Sequence, residues 1–369
     1  MTTIRLAIFA AFLTTVAPVR AAESADSNRG EKLFQTESCV QCHSVQGKGG
    51  KSGPDLGARI GRGYSPALLA SVMWNHAPVM WASMRAQGIR PPDIDLQAAA
   101  DLYAYFYSVR LFDNPSDAAR GKDAFQSKRC TECHGITDSR AAGAPPVAKW
   151  QALGDPIAFA GAMWNHAAAM REAFTARRVA WPELTGQNLS DMLVYLRNLP
   201  DARGVPARFE TSSDLDGAAL FQSKGCAGCH TGTLALAPRL AGKTMNGMAA
   251  TMWNHAPNMA KATIELKPGE LRAILTHLWT QQLLYTKGNL SHGGKVFVAK
   301  GCATCHNDAA SGAPNPAAWK GSVSAVSMVS VLWRHGPAML ERMESKKMPW
   351  PRFKGDEMAD LIAYLNEGR

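Results

Sequence analysis

The sequence has no cysteine outside one recurring motif and no run rich in lysine or arginine, and past residue 22 no apolar stretch nears the roughly 20 residues that a membrane-spanning helix needs. Each absence excludes something. Because the basic residues are scattered, a formal charge of +10 and a pI of about 9.3 do not read as a nucleic-acid footprint. Without a second apolar run, no transmembrane span is expected in the mature chain. Without a stray cysteine, all eight must share one explanation. Charged residues are sparse at 19%, whereas apolar residues reach 46%, enough for packed cores and too many for a disordered chain.

The one apolar run stands at the start. Met1 to Arg5 carries a positive charge, Leu6 to Pro18 is almost wholly apolar, and Val19-Arg20-Ala21-Ala22 offers a small-residue cleavage site. Residues 1–22 are expected to be a secretory signal, since the run is shorter than a bilayer span. Its removal takes away Arg5 and Arg20 and no acid, leaving about +8 on a mature chain expected to be exported across a membrane.

The eight cysteines form four copies of Cys-x-x-Cys-His: Cys39 and Cys42 with His43, Cys130 and Cys133 with His134, Cys226 and Cys229 with His230, Cys302 and Cys305 with His306. This spacing suits covalent haem attachment, in which two thiols add to the porphyrin vinyl groups and the adjacent imidazole turns under the ring to bind iron. Zinc would need the pairs to combine across domain-sized gaps. A thioredoxin-like redox pair does not require the histidine, and disulfides between motifs leave all four histidines unexplained.

Longer repeats surround the motifs. Each copy opens with a glycine, a phenylalanine four residues on, and the first cysteine five after that: Gly30 and Phe34, Gly121 and Phe125, Gly217 and Phe221, Gly293 and Phe297. A Gly/Pro/Ala-rich loop follows, then a second helical run, for which Ser65 suits the cap and Pro66 the first turn. That run ends in a shared Trp-x-His-x-x-x-Met segment containing Trp74, Trp164, Trp253 and Trp333. A closing amphipathic helix completes each unit, as in Asp101 to Phe106 or Asp360 to Leu365.

A helix leading into Cys-x-x-Cys-His, a Gly-Pro loop, a distal-side helix and a terminal helix ending near Tyr-Leu resemble a class I cytochrome c domain, repeated four times. The resemblance implies an all-α fold of four tandem helical domains, each around one covalently bound haem, and periplasmic electron transfer. The expected boundaries are 1–22 for the signal and 23–113, 114–208, 209–287 and 288–369 for the domains. Units of roughly 87 residues are small for independent cores, so a covalently held macrocycle is a sensible core-filler. Four haem c groups would lower the charge from about +8 to about +4, since each brings two propionates against roughly one positive charge on ferric iron and porphyrin.

With His43, His134, His230 and His306 as proximal ligands, the opposite face of each iron needs a partner, and every repeat supplies two at i and i+4. The preferred distal set is His76, His166, His255 and His335, because a buried imidazole without a partner costs free energy. The alternative set is Met80, Met170, Met259 and Met339. The family's usual Met-Pro occurs once, making Met348 a candidate in the fourth unit only; Ile89 and Val179 hold that register in the first two. The resemblance also implies that the Pro54 carbonyl accepts from the proximal imidazole, without carrying over to Pro145, Pro238 or Pro314. The recurring tryptophans are read as packing, His277 as a packing substitution and His292 as an exposed residue at a helix start.

Two functions of different class follow. One is a tetrahaem carrier of electrons between periplasmic or membrane-bound redox proteins, with acidic partners suiting its basic balance and Lys128, Arg129, Arg59, Arg62, Lys346 and Lys347 as solvated charges that can dock them. The other is a haem enzyme, peroxidase-like or acting on small sulfur or nitrogen compounds. An electron-transfer subunit of a larger dehydrogenase is a third. An enzyme needs an open sixth position, and two candidate ligands per unit favour the carrier.

Overall fold

Each repeat opens on a helix whose first turn is closed by a side chain: Asp26 accepts from the Asn28 and Arg29 amides, Asp117 from Arg120, Asp216 from Ala219 and Asn289 from His292. These entry helices are Ser27–Thr36, Ala118–Ser127, Gly217–Ser223 and Leu290–Ala299. The closing helices are Leu96–Arg110, Gly186–Arg197, Glu270–Leu284 and Glu357–Leu365. In every unit entry and closing helices cross at the repeat's glycine. A Cβ on Gly30, Gly121, Gly217 or Gly293 would overlap the carbonyl of Asp101, Asp191, Ala273 or Asp360 respectively, so only hydrogen fits. The computed structural model describes residues 25–57, 65–110, 116–202, 213–240, 242–259, 264–284, 286–318 and 321–367. The expected signal 1–22, Arg59, Arg62 and the boundaries at 113/114 and 208/209 lie outside the described residues.

Between entry and closing helices runs a long middle helix, Pro66–Ala86, Pro156–Ala176 and Ala325–Ser345 in the first, second and fourth units. Ser65 caps the first with Pro66 in its opening turn, as the sequence indicates, and Asp155 and Ser324 cap the others. In the third unit it is shorter, Met245–His255, and a turn follows. Strand is confined to a two-residue antiparallel pair, Ser44–Val45 with Lys48–Gly49, and the architecture is all-α among the described residues.

The units pair out of chain order. The middle helix of the first packs on that of the fourth, and the second's on the third's. Both joints are clamped by the Trp-Asn dipeptide that precedes the repeat's second histidine. Asn165 Nδ2 donates to the Leu266 carbonyl at 2.7 Å and Asn165 Oδ1 accepts from the Leu266 amide at 2.9 Å. Asn254 grips Leu184 the same way at 2.8 and 2.7 Å, so the second–third joint is reciprocal. In the first–fourth joint Asn75 grips Phe353, but Arg334 replaces the fourth asparagine and pairs with Asp93 at 2.9 Å. The first and third units meet where Tyr107 lies against Trp279, ring centres 4.6 Å apart and planes tilted by 41°, and accepts from the Met245 amide at 2.8 Å. One apolar core therefore runs through all four units.

Candidate haem-binding sites

The residue before each first cysteine turns the chain into the left-handed region, with φ of 64° at Ser38, 66° at Arg129 and 78° at Gly225 and Gly301. This kink ends the entry helix and launches the motif as a single tight turn, the amide of His43, His134, His230 or His306 bonding the carbonyl of the first cysteine. The eight thiols are free of disulfides. Burial pushes Cys39 and Cys302 up to about 11 and Cys130 up to about 12, and raises Cys226 as well. Among the described residues no three His, Cys, Asp or Glu side chains are arranged to hold a metal ion by themselves.

Three of the four motif imidazoles are pinned alike. Nδ1 of His43, His134 and His306 lies 2.9, 2.9 and 2.8 Å from the carbonyl oxygens of Pro54, Pro145 and Pro314. A carbonyl only accepts, so Nδ1 carries the proton and Nε2 is left with its lone pair for a metal. The contact at Pro54 is the expected one, and the same device recurs at Pro145 and Pro314, across loops of differing length. In the third unit Pro238 does not play this part: His230 Nδ1 sits 3.4 Å from the Leu234 carbonyl.

Opposite these rings stand the histidines of the middle helices. The ring centres of His43 and His76 are 6.5 Å apart, those of His134 and His166 6.2 Å, and those of His306 and His335 6.3 Å. Two imidazoles holding one metal at about 2.0–2.1 Å, each nitrogen about 1.1 Å from its ring centre, bring the centres to about 6.3 Å. Burial, and then the facing motif imidazole, lower the basicity of His76, His166 and His335 and favour their neutral form. His230 and His255 form no such ring pair among the described residues, and His255 is exposed.

In the second unit the two imidazoles face each other across a cavity of about 350 Å³, walled by Cys130, Cys133, Met170 and Trp253 among others. Thiols, an apolar wall and opposed imidazole nitrogens fit a covalently held haem. Met170 lines the same cavity one turn beyond His166, and Met80 and Met339 pack partly buried at the matching positions. Met259 instead lines a cleft between the second and third units. Met348 is half-buried with its terminal methyl against Gly301.

Two readings of other residues gain partners. His292 is more than an exposed helix start: its Nδ1 lies 2.6 Å from Asp360, where Arg29 and Arg120 hold Asp101 and Asp191 in the first two units. The tryptophans do pack, and all four do so across unit boundaries, Trp333 edge-on against Trp81 of the first unit at 6.2 Å. The indole N–H of Trp74 donates to Pro351, that of Trp164 to Ile264 and that of Trp253 to Pro182. Asn75, Asn165 and Asn254 went unremarked in the sequence, although their recurrence between tryptophan and histidine was a signal. His277 is a packing substitution, its ring 6.3 Å from Phe221.

Among the described residues no helix is long and apolar enough to cross a membrane. No solved structure matches the chain. The family model for cytochrome c matches residues 27–110, 118–200 and 290–368 and leaves the stretch with the third motif unmatched. With more than half of its length covered, the chain belongs to the class I c-type cytochromes, tandem-domain electron-transfer proteins that bind haem c covalently and exchange electrons with redox proteins.

Proposed function

We propose that this chain carries four haem c groups, through Cys39/Cys42, Cys130/Cys133, Cys226/Cys229 and Cys302/Cys305, and works in the periplasm as a multihaem electron carrier. The observation that carries the reading is the opposition of two imidazoles at about the same spacing in three units, 6.5, 6.2 and 6.3 Å between ring centres. When bound, haem supplies a one-electron iron couple. His43, His134 and His306 would hold the iron from one side, with the proline carbonyls fixing ring orientation and raising nitrogen basicity. His76, His166 and His335 would hold it from the other. Middle helices packed against a neighbouring unit leave these histidines little room to swing, which keeps reorganisation on electron transfer small. Imidazole on both faces favours low reduction potentials over those of thioether ligation.

The third unit keeps its attachment motif and His230 but presents neither His255 nor Met259 across from that ring. That departure favours a second reading for this unit alone: an iron with an accessible sixth position, as an enzyme requires. The unit limits remain 23–113, 114–208, 209–287 and 288–369 after an export signal over 1–22. Partners are periplasmic or membrane-bound redox proteins, and acidic surfaces suit the basic residues Lys128 and Arg129 beside the second site.

Mass spectrometry of the exported protein is expected to give polypeptide plus four haems, starting near Ala22. Near-infrared magnetic circular dichroism of the oxidised protein is expected to show bis-imidazole iron in three of the four. A thioether–iron charge-transfer band from most haems would overturn the distal assignment, and a mass short by whole haems would overturn the count.

A further inference from the structure

Each pair of units is joined by one stack of two indoles. Trp253 of the third unit lies on Trp181 of the second with ring centres 4.2 Å apart and planes at 29°. Trp74 of the first lies on Trp350 of the fourth at 5.3 Å and 25°. The two stacks are built alike: Trp253 donates its indole N–H to the carbonyl of Pro182, next after Trp181, and Trp74 donates to Pro351, next after Trp350. In return Trp181 and Trp350 donate to the carbonyls of Trp253 and Trp74 at 3.2 and 3.0 Å. Reciprocal bonds of this kind hold both rings of a stack in place.

Trp253 has a second role in the geometry. Its ring forms part of the wall of the second unit's cavity, together with His134 and His166. Yet it belongs to the third unit's middle helix, two residues before His255. A side chain of one unit thus lines the haem cavity of another, and the backbone behind it leads straight into its own unit.

On the four-haem reading above, we propose that electrons exchange first within two pairs, second with third and first with fourth, and that Trp253 is the contact coupling the second–third pair. The first haem then shares electrons with the last before it shares them with its chain neighbour. The step moves one electron: ferrous iron in one unit becomes ferric, ferric iron in its partner becomes ferrous, and no bond forms or breaks and no proton moves. Trp253 acts here as a bridge and not as an oxidised intermediate. Its N–H is bound to an amide carbonyl, which is no base for the proton a neutral indole radical must shed.

The test uses the full-length, haem-loaded protein and its Trp253→Leu, Trp253→Phe and Trp74→Leu variants. Two-dimensional exchange NMR of haem methyl resonances in partly reduced samples reads electron exchange for each haem pair. In the unaltered protein, cross-peaks within the second–third and first–fourth pairs are expected at the shortest mixing times. Trp253→Leu is expected to slow second–third exchange by an order of magnitude or more and leave first–fourth exchange alone, and Trp74→Leu the reverse. Trp253→Phe keeps an aromatic ring in the wall and loses the Pro182 bond and part of the stack on Trp181, so it is expected to slow the exchange less than Trp253→Leu does. Low-spin electron paramagnetic resonance spectra of each variant should match the parent, which a collapsed interface would not give. Exchange that follows chain order in the unaltered protein overturns the proposal whether or not a variant folds. So does an unchanged second–third rate in Trp253→Leu with four haems shown by mass. Fewer than four haems is a different failure, which defeats the functional reading and this one with it.

Discussion

Replacing Asn254 with leucine keeps the fork at Cγ and removes both hydrogen bonds that tie the third unit's middle helix to Leu184 of the second. Leu184 is only 4% exposed, so its amide and carbonyl cannot turn to water without opening the joint. A typical hydrogen bond contributes about 1 kcal/mol net, and a buried group left unpaired costs about 1–3 kcal/mol, so the two together should weaken the joint by about 2–4 kcal/mol. If the Leu184 amide exchanges through opening of this joint, that cost speeds its hydrogen exchange by roughly 30- to 900-fold. The assay is native-state hydrogen exchange of the haem-loaded protein read at Leu184, with Asn75→Leu as the control. That variant cuts the equivalent grip on Phe353 in the other joint and should leave Leu184 unchanged. An unaltered Leu184 rate in Asn254→Leu would show that the asparagine clamp does not hold these units together.

Gly121→Ala places a methyl where the Asp191 carbonyl stands, and forcing the crossing helices apart is expected to cost about 2–4 kcal/mol, read as a lowered urea midpoint with unchanged slope. His335→Ala should turn one haem in four from low-spin to high-spin in electron paramagnetic resonance, whereas Met339→Ala should leave all four spectra as they were; the opposite pattern transfers ligation to the methionine. Adding carbon monoxide to the fully reduced protein should alter at most one quarter of the Soret intensity, from the third unit, and binding by most haems would speak for catalysis. The hydrogen bond from Lys224 holds the Glu270 carboxyl below the usual glutamate range. The unfolded state therefore binds the extra proton first, and the stability this pair contributes is present above the ordinary glutamate value of about 4.3 and is lost as pH falls through the lower folded value. Lys224→Met should accordingly move acid unfolding to higher pH, and an unmoved midpoint would show that the pair contributes nothing to folding.

Much of each unit was legible because its signals are local. The Ser65 cap, the glycine near the start of each entry helix and the Cys-x-x-Cys-His turns all act within a few residues or across one helix crossing, so the sequence exposes them. His76, His166 and His335 stand opposite the motif histidines, while His255 does not, because the third middle helix stops at that residue where the others continue. His292 is the exposed residue at a helix start that the sequence indicates, and its pairing with Asp360 was not legible because Asp360 lies at the far end of the unit and only the helix crossing brings them together.

Sequence alone determined the attachment chemistry, the repeat and the helical character, since covalent haem capture needs particular side chains at fixed short spacing and helices need periodic apolar faces. Tertiary structure alone decided which units are neighbours. The clamps of Trp74, Asn75, Trp164, Asn165, Trp253 and Asn254 end on backbone groups of Pro351, Phe353, Ile264, Leu266, Pro182 and Leu184. Every residue offers a carbonyl, so the receiving end of such a bond leaves no mark in the sequence, and pairing of first with fourth and second with third emerges only when the chain is folded.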